Sequence, residues 1–274
     1  MKLTASIVLY KTDPSELDTV YGCWRASSLK PELTLIDNSP EPRADTARYP
    51  GAHYVFLGRN SGYGAGHNEA LKRRGDAGGY HCFLNSDLRF GPDCFESIIR
   101  FMEGHHEAGL VGPRVLNSDG SLQFSCRLLP SPLDLAVRRL MPGPLRGLYA
   151  RRDALMEMRR WGYDSPMPVP FLSGCFLVAR MNDLIEIGAF DERYFMYMED
   201  LDLSRRFAAR GRAWFFPGAE AIHDHRRASY EGGPLMKAHV MSAIRYFNKW
   251  GWLLDSERRR INEAALVAIK RRRD

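Results

Sequence analysis

Short apolar runs alternate with segments whose apolar residues recur every three or four positions, and this alternation limits the chain to few folds. Ala5–Tyr10 reads as a strand. Asp13-Pro14-Ser15-Glu16 then supplies an N-cap, a proline at the first helical position and a capping-box acid. Leu17, Val20, Tyr21 and Trp24 follow at helical spacing. A second strand, Leu33–Ile36, ends in Asp37-Asn38-Ser39-Pro40. A third, His53–Leu57, ends in Arg59-Asn60-Ser61-Gly62 and turns into a helix that Gly75 stops. A fourth, His81–Leu84, ends in Asn85-Ser86-Asp87, and Pro92 opens a helix with Phe95, Ile98, Ile99 and Met102 on one face. Strand and helix in alternation predict an α/β fold around a parallel sheet with right-handed crossovers.

Composition narrows the class. The 274 residues, 45% hydrophobic and 26% charged, can bury one large core or two small ones. No apolar run reaches the roughly 18 residues of a membrane-spanning helix. MKLTASIVLY lacks the long core and cleavage site of a signal peptide, so a soluble, cytoplasmic protein is expected. Five scattered cysteines without a CxxC pair argue against a disulfide framework and structural zinc. The net charge of +6 suits phosphorylated ligands, nucleic acid or an anionic membrane alike.

The polar residues fall in a regular place. Asp37, Asn60 and Asp87 each lie just past a predicted strand, at the edge where open α/β sheets bind ligands. Any one of them also makes an ordinary turn residue; three in succession point to a site. The glycines of Asn60–Asn68 have neither the spacing nor the position of a dinucleotide fingerprint, and the chain has no GxxxxGK[ST] loop. They leave a turn that can offer backbone N–H groups to a phosphate at a helix start. Asp87, among Phe83, Leu84 and Phe90, can hold Mg²⁺ or Mn²⁺ with substrate phosphates completing the shell.

In the second half, Leu110–Pro113 reads as a strand and Asn117-Ser118-Asp119-Gly120 as a turn into Leu122–Ser125. Cys126 to Val169, rich in proline and arginine, predicts short basic helices and loops that shape an acceptor opening. Phe171–Val178 reads as one buried strand, with Gly174 where something approaches closely. Within Met196–Gly211, the part after the aromatic lead-in predicts an amphipathic helix opened by the acids, with Leu201, Leu203 and Phe207 inside, Arg205, Arg206 and Arg210 outside and Gly211 closing it. Its acids, Glu199, Asp200 and Asp202, suit the positive end of the helix dipole. The aromatic lead-in of Phe190, Tyr194, Phe195 and Tyr197 looks like a pocket wall, which favours proton transfer by one of them. Further on, His223 and His225 flank Asp224 as candidate metal ligands, and Met241, Ile244, Phe247 and Trp250 form an apolar helical face. The basic tail from Arg258 to Arg273 predicts a terminal helix, either solvated or lying on an anionic membrane.

Five stretches in order, SIVLYKT, LIDNSP, NSGYGAGHNEAL, FLNSDLRF and FLSGCFLVAR followed by FDERYFMYMEDLDLSRRFAARG, resemble glycosyltransferase family 2 and its bacterial rhamnosyltransferase-like branch. The resemblance runs from about Ser6 to Trp250. It implies a GT-A fold: one α/β domain over 1–250, its mostly parallel sheet flanked by helices. Residues 1–125 would form the nucleotide-sugar half and 126–250 the acceptor and catalytic half, with 251–274 a basic terminal helix.

By this resemblance Asp37 meets the nucleobase of the donor, and Tyr10, Asn60, Gly66, Asn68, Asn85 and Ser86 are donor-binding. Asp87 would hold Mg²⁺ or Mn²⁺ against the diphosphate, and His223 would complete the metal shell. Where the family often has Asn-Pro, this chain has Asn85-Ser86. Asp200 would be the general base, with Glu199 and Gly174 on the acceptor side. The implied reaction is an inverting transfer from a nucleotide-sugar donor, with dTDP-L-rhamnose favoured over UDP- or GDP-sugars, to a glycan or lipid-linked glycan. Asp202 is the alternative base, but helical geometry turns it roughly 160° from Asp200. A nucleotidyltransferase would need a glycine-rich loop after the first strand, where Lys11-Thr12-Asp13-Pro14 stands. A non-catalytic binder of nucleic acid or membrane leaves the three aspartates unexplained, since acids repel phosphate backbones.

Overall fold

The structure, a computed structural model, describes residues 2–42, 44–73, 78–140, 146–224 and 233–271. Gly75 and His225 lie outside them. Four parallel strands form the first part of the sheet: β1 (Leu3–Leu9), β2 (Glu32–Asp37), β3 (Ala52–Phe56) and β4 (Tyr80–Leu84). Between β1 and β2 runs α1 (Pro14–Ala26), capped by the Asp13 side chain and buried through Leu17, Val20, Tyr21 and Trp24. Helix α2 (Tyr63–Lys72) joins β3 to β4, and β5 (Leu88–Phe90) and α3 (Cys94–Gly104) follow.

The second half inserts an antiparallel strand. After β6 (Leu110–Leu116), the two-residue strand β7 (Cys126–Arg127) and helices α4 (Pro132–Leu140) and α5 (Arg146–Met156) occupy the proline- and arginine-rich segment. Then come β8 (Met167–Pro168), β9 (Phe171–Leu172) and β10 (Phe176–Arg180). Helices α6 (Met181–Glu186) and α7 (Glu199–Ala208), strand β11 (Ala213–His223) and helices α8 (Pro234–Trp250) and α9 (Ser256–Arg271) complete the chain. The nine-stranded sheet has the order β3-β2-β1-β4-β10-β6-β11-β5, with β8 also on β11, and β7 pairs β9 separately. Strand β10 is antiparallel to both β4 and β6, while β11 is parallel to β6. The sheet is mixed and mostly parallel.

Two expectations change. Phe171–Val178 is not one strand: β9 pairs with β7, a turn at 173–175 intervenes, and β10 crosses into the main sheet. The strands on either side of the turn belong to different sheets, so the turn is exposed to the site. Arg205 and Arg206 are not on the outside of α7. Arg205 is 1% exposed, held in a two-pronged pair by Asp255 (2.7 and 2.6 Å) and stacked on Trp250 at 4.1 Å. Arg206 donates to Asp202 and to the carbonyls of Ile187 and Ala189. Periodicity placed both by charge, whereas Trp250 and Asp255 let Arg205 be buried, and Asp202 with the carbonyls after α6 holds Arg206.

The terminal helix is also accounted for. Ile261 packs with Leu129, Tyr246 and Phe247, and Ala265 and Ile269 join the core around Phe207 and Phe215. The face of α9 that carries Ile261, Ala265 and Ile269 is therefore spent inside the protein and does not lie on a membrane; of its larger apolar side chains Val267 stays exposed. No helix among the described residues is long and apolar enough to cross one.

Candidate active site

The sheet order brings one polar edge together. Because β10 runs opposite to β4, its first residue faces the last residue of β4, Phe176 against Leu84. The turn before β10 therefore joins the edge where the parallel strands end. There Asn85 N–H donates to the Cys175 carbonyl at 2.9 Å. His223, the last residue of β11, pairs with Leu88 of β5 at the same edge.

On one side of the Gly174–Cys175 turn stand Asp87 and His223. His223 Nε2 lies 3.3 Å from Asp87 Oδ1 and 3.2 Å from Asn85 Nδ2, while Nδ1 contacts Gln123 Oε1 at 3.0 Å. Burial would depress the His223 pKa, but the neighbouring Cys175 and Asp87 lift it to about 10. Burial in turn raises the Asp87 carboxyl, and the facing His223 outweighs it, for a net shift downward. This pair fits a divalent cation that takes two protein ligands, an aspartate oxygen and an imidazole nitrogen aimed at each other, with phosphate oxygens filling the rest. Asp87 Oδ1 is buried without a hydrogen bond of good geometry. Among the described residues no group of three or more metal-ligating side chains converges, so such an ion would depend on its substrate.

On the other side stand Glu199 and Asp200, the first two residues of α7. Gly174 N–H donates to Asp200 Oδ2 at 3.0 Å, and Leu201 N–H donates to Oδ1 at 2.8 Å. A Cβ at position 174 would meet Asp200 Cβ at 2.9 Å, so the close approach read into this glycine is the approach of the carboxylate itself. Burial raises the Asp200 carboxyl above its ordinary value, against these two N–H donors and the positive charge of Arg127. Glu199 is 5% exposed, and its Oε2 has no hydrogen-bond partner among the described residues. Burial and the adjacent Asp200 push its carboxyl well above the ordinary carboxylate range.

The approach to α7 is strained. Tyr197 and Met198 have φ of 65° and 69°, left-handed backbone that costs such residues about 1–3 kcal/mol each. Ser242 of α8 holds the Met196 carbonyl at 2.8 Å, and the Tyr197 ring sits 4.9 Å from His239. Asp202, the alternative base, is fully buried and accepts from Arg206 and Trp250 and pairs with Lys249. It braces α7 against α8 and does not reach the edge.

The donor-side candidates divide. Asp37 ends β2 with no exposed surface; its oxygens accept from Ser39 N–H and the Tyr54 hydroxyl. Asn60 Oδ1 accepts from Gly62 N–H at 3.1 Å and forms the turn into α2. Tyr10 is exposed at the end of β1, and Ser86 is half-buried beside Asp87. Gly66 and Asn68 are tightly packed. A Cβ at 66 would strike Val8 at 2.8 Å, and the Asn68 amide is bonded to both backbone groups of Phe190 and to Glu192. The turn glycine has a similar reason: a Cβ at Gly62 would lie 2.1 Å from the Phe195 carbonyl, which also accepts from Tyr63 N–H. That helix start binds the lead-in to α7, so its glycines do not form an open phosphate cradle.

Three side chains of the edge carried no sequence signal. Tyr63 donates to the Gly174 carbonyl at 2.7 Å and fixes the turn from below. Cys175 places a buried thiol beside His223. Arg127 in β7 brings positive charge to Asp200. The proline- and arginine-rich composition around Arg127 was its only mark.

A mixed, mostly parallel sheet with Asp87 and His223 on one side of a strand-end turn and Glu199 and Asp200 on the other belongs with the GT-A class of α/β folds. The family model for glycosyl transferase family 2 matches residues 29–178, and the chain belongs to that family. It is 32% identical over 207 residues to the N-acetylglucosaminyl-diphospho-decaprenol L-rhamnosyltransferase of Mycobacterium tuberculosis (strain H37Rv), covering 70% of this chain and 66% of that protein. It is 28% identical over 207 residues to rhamnosyltransferase WbbL of Escherichia coli K12, covering 71% and 74% of the two chains. Among solved structures, GalNAc-T7 with UDP, GalNAc and Mn²⁺ superposes with a TM-score of 0.62 at 14% identity, over 91% of this chain and 48% of that one. That likeness concerns the fold.

Proposed function

We propose that the chain is an inverting rhamnosyltransferase. It would move L-rhamnose from a nucleotide-diphosphate donor, dTDP-L-rhamnose, to a hydroxyl of a glycan or lipid-linked glycan in bacterial cell-surface polysaccharide synthesis. One observation carries the reading: Asp200 and the Asp87–His223 pair flank the same turn, Gly174–Cys175. The names of the two relatives supply the sugar, and the decaprenol-linked substrate in one name favours a lipid-linked acceptor.

In this reading Asp200 accepts the acceptor hydroxyl proton while that oxygen forms a bond to the anomeric carbon. The bond from that carbon to the diphosphate oxygen breaks, and its electron pair leaves with the nucleoside diphosphate. Burial makes Asp200 a stronger base than an exposed aspartate. Glu199, whose buried carboxyl is held well above its ordinary range, orients the acceptor through a hydrogen bond. Asp87 and His223 would hold Mg²⁺ or Mn²⁺, which when bound offsets charge on the diphosphate.

Asp200→Asn tests the assignment. Transfer from dTDP-L-rhamnose should fall by about 10²–10⁴, while stabilisation of the protein by dTDP is retained. Unchanged transfer would remove Asp200 from the role.

A further inference from the structure

Among the described residues, nothing covers a set of apolar side chains on α8 and the turn that follows it. Periodicity groups Met241 and Ile244 with Phe247, yet only Phe247 is buried; Val240, Met241 and Ile244 face outward. The set continues into Trp252, Leu253 and Leu254, the last two 81% and 88% exposed. Trp252 is fixed in line with it, since its indole N–H donates to Asn248 at 2.8 Å and its ring packs on Phe247 at 5.2 Å. Scattered exposed hydrophobics are ordinary; six of them between Val240 and Leu254, on one helix and the turn after it, form a concentration that suits an occupant.

Charge selects that occupant. From Pro234 to Leu254 the chain has no acidic residue, while Lys237 lies on α8 and Arg259 follows it; Arg245 and Arg260 add charge nearby, although each also donates to a backbone carbonyl, of Arg193 and Ala209. A second copy would set one acid-free helix and turn against another, with no carboxylate from either segment to meet the cations. An anionic bilayer complements both properties, with apolar side chains entering the headgroup boundary and basic ones meeting the lipid phosphates. At 17 residues and about 25 Å, α8 suits a helix lying in that plane.

We propose that Val240, Met241, Ile244 and Trp252–Leu254 form a membrane-docking surface that seats the protein on anionic lipid. It replaces α9 as the membrane contact, since the face of α9 that carries Ile261, Ala265 and Ile269 is buried. The surface also touches the catalytic edge: Ser242 and His239 of the same helix hold Met196 and Tyr197, directly before Glu199. Docking would set the acceptor side of the site at the bilayer. The inference rests on this surface alone and does not require the sugar or the base to be those proposed above.

The test is co-sedimentation of the full chain with phosphatidylcholine vesicles, alone or with phosphatidylglycerol. Binding is expected to the phosphatidylglycerol vesicles, at least tenfold weaker to phosphatidylcholine alone, and weaker as salt rises. Leu253→Asp/Leu254→Asp should reduce it at least tenfold; Leu253→Ser/Leu254→Ser provides a milder pair should the first variant melt early. Asp200→Asn should bind like the parent, so loss of transfer and loss of docking are read separately. No vesicle binding, or equal binding by the folded leucine variants, overturns the proposal. So does a dimer in sedimentation velocity that those substitutions dissociate, which would make the occupant a second copy.

Discussion

Gly174→Ala is the substitution that most sharply probes how Asp200 is held. The added Cβ would lie 2.9 Å from Asp200 Cβ and 3.4 Å from Oδ2, against at least 3.4 Å for ordinary contact, so the carboxylate must retreat by about 0.5 Å. That retreat also stretches the 3.0 Å bond from Gly174 N–H, one of the two that aim the carboxylate. Misplacement of about 1 Å costs roughly a hundredfold, so a tenfold to hundredfold loss of kcat is expected, about 1.4–2.7 kcal/mol of barrier. The assay is release of nucleoside diphosphate in the presence of acceptor, at saturating donor, beside the shift in melting temperature produced by the nucleotide alone. Asp37 and Asp87 are untouched, so the nucleotide shift should match the parent. A kcat within threefold of the parent, in a protein that melts normally, would refute the view that this contact positions the base.

Two further substitutions test the scaffold. His67 is fully buried among Tyr63, Phe83 and Phe190, its Nδ1 2.7 Å from the Ser6 hydroxyl, and burial lowers its pKa to about 3. The unfolded chain takes up this proton near pH 6.5 and the folded one does not, so stability from His67 is full above that pH and lost as pH falls toward 3. Unfolding free energies at pH 7 and pH 5 should show the parent's margin over His67→Gln shrinking by roughly 2 kcal/mol at the lower pH; a constant margin would contradict a neutral buried imidazole. Arg205→Ala strands buried Asp255 and should cost about 3–5 kcal/mol in urea unfolding. Arg205→Met with Asp255→Asn should cost less than Arg205→Ala alone, and the reverse order would count against a charge-dominated pair.

What was legible in the chain follows from how local each feature is. The N-cap at Asp13, the buried face of α1 and the start of α7 at Glu199 depend on residues within a turn or two, and all stand where the sequence places them. Strand ends carrying Asp37 and Asp87 were legible for the same reason. Arg205 was misplaced because its partners Trp250 and Asp255 lie far along the chain, and periodicity treats any arginine as solvent-facing. Gly66 and Asn68 could not be told from ligand-binding residues, because close packing against Val8 and Phe190 also demands a small residue and an amide. The break at 173–175 was hidden by an unbroken apolar run, although that break presents Gly174 to Asp200. Tyr63 and Cys175 joined the site only through topology, when β10 entered the sheet backwards beside β4.

The central claim is that Asp87 and His223 bind a metal-dependent nucleotide donor on one side of the turn while Asp200 acts on the other. The most direct measurement is the melting temperature with dTDP, UDP or GDP, each with and without Mn²⁺, for the parent, Asp87→Ala and Asp200→Asn. Binding to the folded state alone raises apparent stability by mass action. The account predicts that dTDP with Mn²⁺ stabilises the parent and Asp200→Asn equally and leaves Asp87→Ala unmoved. Stabilisation that survives in Asp87→Ala, or none with any nucleotide, would contradict it.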